Sequence, residues 1–354
     1  MIQNRNKRIE WVDIAKFLGI FCMVWGHVGV SPNIDIIIHV FHMPIFFFLS
    51  GYLFKVERFS IKKKIKTLLI PYFAFGVGLF GIWKIIGRII TLPEYYSIKD
   101  FLKGLFYDNT MTAPYACIQW FLTCLFLTEI IFYYLIKYVD KDLLVIGILI
   151  LFSVIGFILP KITNIRLFWG GDCAFTAIVF LGIGYYVRKF KDTEFITKIL
   201  DNKAKRLILI LFLAGIGGGI AYKNGYVNMR IMQYGNYFLY YISALAIVLA
   251  VIGVGNSISK NSLFKNTMIY KALLYIGENT IIILVMNQFF SRLIAWFIRG
   301  KILMFLEINQ YLLDFILTIL IFILMLPVIY ILNRFFPVIL GRKATKNCEK
   351  KIFN

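Results

Sequence analysis

Residues 11–30 read WVDIAKFLGIFCMVWGHVGV, a run of 20 residues with two charged side chains, Asp13 and Lys16. A transmembrane helix needs roughly 20 mostly apolar residues, so this run is long enough to cross a bilayer. It follows a basic N-terminus, as a signal peptide does, but it contains Asp13, Lys16 and His27 and has no small-residue cleavage pattern. We therefore predict a retained first membrane helix.

The whole chain has the composition of a membrane protein. Of its 354 residues, 60% are hydrophobic and 16% are charged, and the mean hydropathy is +0.79. Soluble domains contain about 45–50% apolar and about 25% charged residues, so an ordinary soluble domain is excluded. The net charge of +21 suits nucleic-acid binding, but the basic residues lie between apolar runs that form no groove-reading helix. We predict a lipid bilayer as partner and no nucleic acid.

Apolar runs separated by charged or Gly/Pro/Asn-rich breaks recur along the chain. They predict an all-α fold, a polytopic integral membrane helical bundle that forms a single membrane-embedded domain over residues 1–354. We predict ten transmembrane helices near residues 11–30, 34–54, 67–92, 116–136, 143–160, 168–187, 207–222, 236–255, 276–298 and 311–333.

The basic residues predict the orientation of these helices, because cytoplasmic loops carry an excess of Lys and Arg. With the N-terminus inside, 27 of the 39 basic residues fall on the inner side, 8 on the outer side and 4 within spans. This distribution predicts that both termini are cytoplasmic. Enrichment in Ile, Lys, Asn and Phe is compatible with an AT-rich bacterial genome, so we expect the bacterial plasma membrane.

Polar side chains inside a membrane are costly and mark functional candidates. Lys16 and His27 are 11 residues apart, which is close to three full helical turns, so they share one face of the first helix. All three histidines lie between residues 27 and 42. For His39 the position at the outer end indicates an interfacial residue, whereas for His27 we favour a functional role. The five cysteines are scattered and show no metal-ligand spacing, so no metal site is predicted.

The basic stretch Lys62-Lys63-Lys64-Ile-Lys66 precedes the third helix. A basic inner loop is what the orientation requires, and that alone explains the charges. The functional alternative is an anion site for phosphate groups at the cytoplasmic face. The sequence leaves both interpretations open.

Further polar candidates lie in later helices. Lys84 and Arg88 are four residues apart in the outer part of the third helix, and Asp172 opens the sixth near the outer surface. Trp120 begins the fourth helix at the same level, where aromatic residues also occur as an interfacial belt. Glu129 lies within the fourth helix and can neutralise a basic partner.

These residues resemble the acyltransferase-3 family of integral membrane acyltransferases, particularly its fucose 4-O-acetylase-like and surface-polysaccharide O-acetyltransferase branch. The family's first helix has an acidic residue, a basic residue, ten residues and a histidine, which Asp13, Lys16 and His27 match. Many members have arginine where Lys16 stands, so the charge is kept without the bidentate fork. The segments from Phe41 to Gly51 and from Lys62 to Tyr72 are similar to the family's His-Met-Pro signature and basic cluster.

Weaker similarity extends beyond residue 75, at Trp120-Phe121-Leu122, Phe180-Leu181-Gly182 and Tyr275 to Thr280. A histidine often follows the last motif in the family, and Asn287 occupies the comparable place here, which weakens an acid-base role for this helix. The resemblance implies O-acetylation: transfer of an acetyl group from cytosolic acetyl-CoA, a co-substrate, to a sugar hydroxyl of a surface polysaccharide or its lipid-linked precursor.

The residue roles follow from that chemistry. His27 would act as general base or accept the acyl group itself, and His42 or Asp172 would orient His27 or the acceptor. Asp13, Lys16, Lys63 and Lys66 would meet the acyl-CoA, and Lys84, Arg88 and Trp120 the glycan acceptor. The alternatives from other classes are a carrier or flippase for a lipid-linked glycan and a polysaccharide polymerase. Neither accounts for the Lys16/His27 spacing together with the His-Met-Pro signature, and no oligomeric state is predicted.

Overall fold

The structure, a computed structural model, describes residues 8–89, 97–107, 119–163, 166–191, 202–294 and 309–342. Within these ranges the chain forms helices and no β-strand. The helices are α1 Glu10–Val28, α2 Pro32–Phe41, α3 Pro44–Leu53, α4 Ile61–Lys64, α5 Ile70–Ile89, α6 Ile98–Phe106, α7 Trp120–Tyr138, α8 Asp142–Ile162, α9 Gly171–Phe190, α10 Lys203–Asn224, α11 Tyr237–Lys260, α12 Ser262–Lys265, α13 Met268–Glu278, α14 Thr280–Ile294 and α15 Gln310–Phe335.

The helices confirm an all-α polytopic bundle. In the described part of the chain, nine are long and apolar enough to cross a membrane, and the bent pair α13 and α14 makes up to ten. The second span, from Pro32 to Leu53, consists of α2 and α3, and the third, from Ile61 to Ile86, includes α4, a π-helical turn and α5. We call the end that holds Arg8 and Lys63 the inner end, after the predicted orientation.

The ninth span differs from the single helix predicted near residues 276–298. It is broken at Asn279, where α13 and α14 meet at 89°. The Asn279 side chain donates to the Tyr275 carbonyl at 2.7 Å and accepts from Asn333 at 2.9 Å. Asparagine offers the backbone such alternative hydrogen bonds, and here they end α13.

The second span is likewise interrupted. Residues His42 and Met43 form a turn between α2 and α3, and Pro44 begins α3. Proline has no N–H to donate, so it is tolerated at the first position of a helix and interrupts a continuous one. The predicted single helix over 34–54 is therefore two consecutive helices.

Helix α1 lies at the centre of the bundle and packs against α2, α3, α11, α13, α14 and α15. Its residues Ile14, Ala15 and Val24 have no exposed surface. A polar side chain of α1 that is buried in the bundle therefore needs a polar partner or a cavity.

Helices α3 and α9 approach closely because each has a glycine at the contact. A Cβ atom at Gly51 would lie 1.8 Å from the Leu181 carbonyl oxygen, and one at Gly184 would lie 2.0 Å from that of Phe48. Small residues permit such backbone contact between membrane helices. The contact fixes α3 beside α9.

We expect Gly51→Ala to destabilise the protein, because the methyl group must push the two helices apart. Overpacking of this kind costs about 1–3 kcal/mol. The control is Gly78→Ala, since a Cβ at Gly78 meets no atom within 4 Å. Thermal unfolding of the detergent-solubilised variants tests this, and equal midpoints for the two would contradict it.

Candidate active site

Helix α1 carries polar side chains at two levels. Lys16 lies in its inner half, with Nζ 3.7 Å from Oδ1 of Asp13. His27 lies in its last turn. A helix rises 1.5 Å per residue, so the two side chains start roughly 16 Å apart along the axis. One helix therefore positions the polar groups of two separate cavities.

The His27 ring is held by Asn287. Its Nδ1 lies 3.1 Å from Oδ1 of Asn287, which is fully buried in α14. The Asn287 Nδ2 donates to the Leu284 carbonyl at 2.6 Å, so the amide oxygen faces His27. We assign the proton to His27 Nδ1 from this network, which leaves Nε2 with its lone pair. An imidazole in this tautomer can accept a proton.

A cavity of about 280 Å³ lies beside His27 at the outer end. The His27 side chain is exposed there. Polar groups of α14 form one side of the cavity, and apolar side chains of α14 and α15 form the other. The residues that line it are His27, Val28, Gln288, Ser291, Arg292, Ile294, Leu317 and Ile321.

The other two histidines have partners of their own. His39 Nδ1 lies 2.8 Å from Oδ1 of Asp35, one turn earlier on α2. His42 is buried, and its Nδ1 donates to the Ile38 carbonyl at 2.8 Å. The two rings meet edge to face with centroids 5.0 Å apart. His27 Nδ1 thus donates its hydrogen bond to Asn287 and not to His42.

Asp172 has an ion pair and backbone donors around it. Arg166 Nε lies 2.8 Å from its Oδ2, and the Cys173 N–H donates to its Oδ1 at 2.8 Å. The carboxylate has no exposed surface. These contacts join the first turn of α9 to the segment before it, and the described partners of Asp172 do not include His27.

A larger cavity, of about 850 Å³, opens at the inner end and includes Lys16. Seven basic and three acidic side chains line it, together with apolar residues such as Phe46 and Phe121. Its net positive charge favours an anionic ligand. The charged lining residues are Arg8, Lys16, Lys55, Arg58, Lys63, Lys64, Arg188, Asp13, Glu129 and Glu278.

An ion-pair network borders this cavity. Arg8 binds Asp13 on α1 and Glu278 at the end of α13, the latter at 2.8 Å. Burial by itself would lower the pKa of the Arg8 guanidinium, but the hydrogen bond and charge of Asp13, with those of Glu278, raise it. Arg8 therefore stays charged, and it joins α1 to α13 at the mouth of the cavity.

Glu129 has the basic partner that the sequence analysis allowed for. Its carboxylate, 2% exposed, pairs with Lys64 Nζ at 2.7 Å. The pair attaches the basic segment to α7. A π-helical turn over Ile65–Leu69 follows, and such turns are frequent at functional sites.

A family model described as an acyltransferase domain matches residues 9–334, essentially the whole chain. The chain belongs to the acyltransferase-3 family. Neither the curated proteins nor the solved structures that were compared include a match. Membership of this family shows that the chain is a membrane acyltransferase. The matched region contains all of α1 and, apart from Arg8, the described residues that line the two cavities.

The acyltransferase brings only some of the predicted acyl-CoA residues together. Asp13, Lys16 and Lys63 line the inner cavity. Lys66 is exposed, it is not among the lining residues, and its carbonyl lies against Gly341. The wider π-helical geometry, with more residues per turn than an α-helix, begins between Lys63 and Lys66 and changes the direction in which successive side chains point.

The predicted acceptor residues of the acyltransferase are dispersed. Lys84 Nζ lies 5.4 Å from the centroid of the Phe80 ring on its own helix. Trp120 is 6% exposed and belongs to the apolar core. The side chain of Arg88 is outside the described residues. Neither Lys84 nor Trp120 is among the described residues that line the outer cavity.

Sequence reasoning placed neither Asn287 nor its neighbours in the site of this acyltransferase. Asn287, which departs from the family pattern, is the partner of His27 across 260 positions. Gln288, Ser291 and Arg292 follow it and line the outer cavity. Their polarity within an apolar segment was the available signal, but the sequence does not pair that segment with His27. Within the described ranges, no cluster of His, Cys, Asp and Glu has the arrangement of a metal site.

Proposed function

We propose that this acyltransferase transfers an acyl group, in the simplest case acetyl, from cytosolic acyl-CoA to a sugar hydroxyl of a cell-envelope glycan. The observation that carries the proposal is the pair of cavities on α1, one basic with Lys16 and one with His27. Small-molecule sites span roughly 300–1,000 Å³. The inner cavity has room for the larger donor, and the outer one suits a single sugar.

The inner cavity supplies what the phosphates of CoA require. Lys and Arg side chains bind phosphate as point charges and as bidentate donors, respectively. Lys63 and Arg58 lie toward the inner surface, whereas Phe46 and Phe121 form an apolar part of the same cavity. In the proposed complex the nucleotide binds at the basic mouth, and the thin pantetheine arm extends toward His27.

His27 acts as general base in the proposed reaction. The sugar hydroxyl gives its proton to Nε2, and its oxygen forms a bond to the thioester carbonyl carbon. The carbon–sulfur bond breaks, and the CoA thiolate takes the proton from His27 to leave as a thiol. Asn287 holds the ring through Nδ1 in both protonation states, because that nitrogen donates in each.

The proposed function is tested by mass spectrometry of the surface glycan from a strain that lacks the gene. Compared with the parent strain, we expect each normally acetylated unit to lose the mass of one acyl group, with the length of the glycan chain unchanged. Purified protein in nanodiscs should add the acyl group back to this glycan only when acyl-CoA is present. Shortened chains would indicate a polymerase, and transport without acyl-CoA would indicate a carrier.

The donor site has a test with a matched control. We expect Lys63→Gln to raise the KM for acyl-CoA about tenfold, because a hydrogen bond to a charged group contributes about 1.5 kcal/mol. Added salt should reduce the difference, since screening weakens exposed charge pairs. Lys66→Gln removes the same charge outside the cavity and should leave the KM unchanged. A larger effect from Lys66→Gln would place the phosphates elsewhere.

The predicted orientation is tested by cysteine labelling. Residues of α6, Ile98–Phe106, follow the third span and should react only with reagent added from outside. A cysteine at Lys62 should react only after the membrane is permeabilised. The reverse labelling pattern would show that the protein has the opposite orientation. The basic cavity would then open away from cytosolic acyl-CoA, which contradicts the proposed donor site.

A further inference from the structure

Two ionisable side chains face the outer cavity. Of the described residues that line it, His27 and Arg292 are the ionisable ones, Gln288 and Ser291 are polar, and the other four are apolar. A cavity of about 280 Å³ is at the small end of the range for ligand sites, so both ionisable side chains lie close to one bound acyl group. The proposed reaction gives a role to His27 and none yet to Arg292.

The Arg292 side chain is oriented by an indole ring. Its guanidinium carbon lies 5.9 Å from the ring centroid of Trp83, a 9% exposed residue of α5. The Trp83 ring also meets the Phe289 ring edge to face, with centroids 6.3 Å apart. Phe289 and Arg292 are three residues apart, so they are neighbours on the surface of α14. Trp83 therefore packs α5 against α14 at the point where Arg292 leaves the helix for the cavity.

The proposed reaction develops a negative charge that His27 does not neutralise. As the sugar oxygen bonds to the thioester carbonyl carbon, the hydroxyl proton moves to His27 Nε2 and the carbonyl π electrons move onto the carbonyl oxygen. The resulting tetrahedral intermediate carries an oxygen anion. Preorganised hydrogen-bond donors aimed at such an anion are often the largest single contribution to catalysis in a cavity of low dielectric constant.

The described donors on the cavity wall differ in strength. Ser291 Oγ donates its one hydrogen to the Asn287 carbonyl at 2.8 Å, so its hydroxyl is already used. Gln288 offers a neutral amide. The guanidinium of Arg292 has five N–H groups and stays protonated in proteins. Hydrogen bonds with an ionised group are roughly twice as strong as neutral ones, so Arg292 is the strongest of these donors.

We propose that Arg292 is a catalytic residue that stabilises the anionic carbonyl oxygen during acyl transfer. This inference rests on the proposed function and adds a residue to its mechanism. Arg292 donates to the oxygen and keeps all its protons. When the electron pair returns to re-form the carbonyl group, the carbon–sulfur bond breaks, and the CoA thiolate takes the proton from His27. His27 thus moves the proton, and Arg292 binds the negative charge.

The alternative role of Arg292 is to bind the acceptor before the reaction, because a guanidinium also binds oxygen atoms of a ground-state sugar. Kinetics separate the two roles. Loss of an interaction made only in the transition state lowers kcat and kcat/KM equally. Loss of an interaction made equally in the ground state raises KM and leaves kcat unchanged.

The test is steady-state kinetics of the full-length protein in nanodiscs, with labelled acetyl-CoA and the unacetylated glycan of the strain that lacks the gene. We expect R292Q to lower kcat about 100–1,000-fold, the loss measured when an oxyanion donor is removed. The KM values for glycan and acetyl-CoA should change little. R292K keeps the charge and should retain an intermediate rate. Guanidinium chloride should restore part of the R292A rate, whereas equimolar sodium chloride should not.

Lys161→Gln is the matched control. Lys161 lies in the last turn of α8 with Nζ 3.5 Å from the centroid of the Phe157 ring, and it is not among the described residues that line the outer cavity. Its variant should react as the unaltered protein does. Binding of CoA, measured for every variant, should be unchanged and shows that each is folded.

The possible failures are distinguishable. A normal kcat for R292Q, with or without a raised KM for the glycan, would overturn the role of Arg292 and leave the proposed function intact. Absence of both the intermediate R292K rate and the guanidinium rescue would assign the loss to structure and would also overturn that role. If the unaltered protein transfers no acetyl group from acetyl-CoA, the proposed function fails and this inference fails with it.

Discussion

Replacing His27 by glutamine should lower kcat for acyl transfer about a thousandfold, because general acid–base catalysis contributes roughly 10²–10⁴-fold. Glutamine keeps a polar side chain of similar size beside Asn287 but cannot take the proton of the acceptor hydroxyl. The KM for acyl-CoA should change little, since the donor cavity begins near Lys16. Initial rates with labelled acetyl-CoA in nanodiscs give both quantities.

His39→Gln is the matched control for this prediction, because it removes a histidine of the same outer cluster whose Nδ1 is paired with Asp35. It should leave kcat within a factor of about three, since substitutions away from the reacting groups usually change free energies by about 0.5 kcal/mol or less. If correctly inserted His27→Gln protein acylates the glycan at the normal rate, the proposed chemistry is wrong.

The second large effect is expected at Asn287, which orients His27 without touching the substrate in the proposed reaction. Asn287→Leu should lower kcat about 10–100-fold, by analogy with the loss of a hydrogen-bond partner that orients a metal-binding histidine. The isosteric Asn287→Asp keeps an oxygen that accepts from His27 Nδ1 and should retain most of the rate. The KM for acyl-CoA should be the same in both variants.

A double-mutant cycle separates this positioning role from a purely structural one. Once His27 is glutamine, Asn287→Leu should lower the residual rate little further, because groups that act as a unit are not additive. Independent and multiplicative losses would show that Asn287 acts elsewhere. Thermal midpoints measured in parallel would reveal a variant that fails because it does not fold.

The Lys16/His27 register is a local property and was predictable. Eleven residues of α-helix return to nearly the same face whatever surrounds them, so the spacing places both side chains on one side of α1. The span positions were predictable for a similar reason, since each needs its own run of apolar residues. The breaks within two spans were missed because the mean hydropathy of a segment does not record backbone hydrogen bonds. Asn279 bonds to a backbone carbonyl where α13 ends, and Pro44 lacks the N–H that a continuous helix would need.

The partner of His27 was not predictable. Asn287 is 260 residues away, and its contact depends on how α14 packs against α1 after the bend at Asn279. The cavities have the same origin, because the inner one is lined from several helices and connecting segments along the chain. Lys63 lines the inner cavity and Lys66 does not, although both belong to one basic stretch of the sequence.

The sequence by itself determined that the chain lies in a lipid bilayer, where its helices run and which face of α1 is polar. These properties depend on composition and on helical periodicity, and the sequence motifs also carried the family resemblance. Only the tertiary structure decided that His27 is held by Asn287, that basic residues surround an inner cavity, and that a second cavity lies beside His27. These depend on contacts between distant helices, and the free energy of such contacts comes from packing in three dimensions rather than from any local pattern.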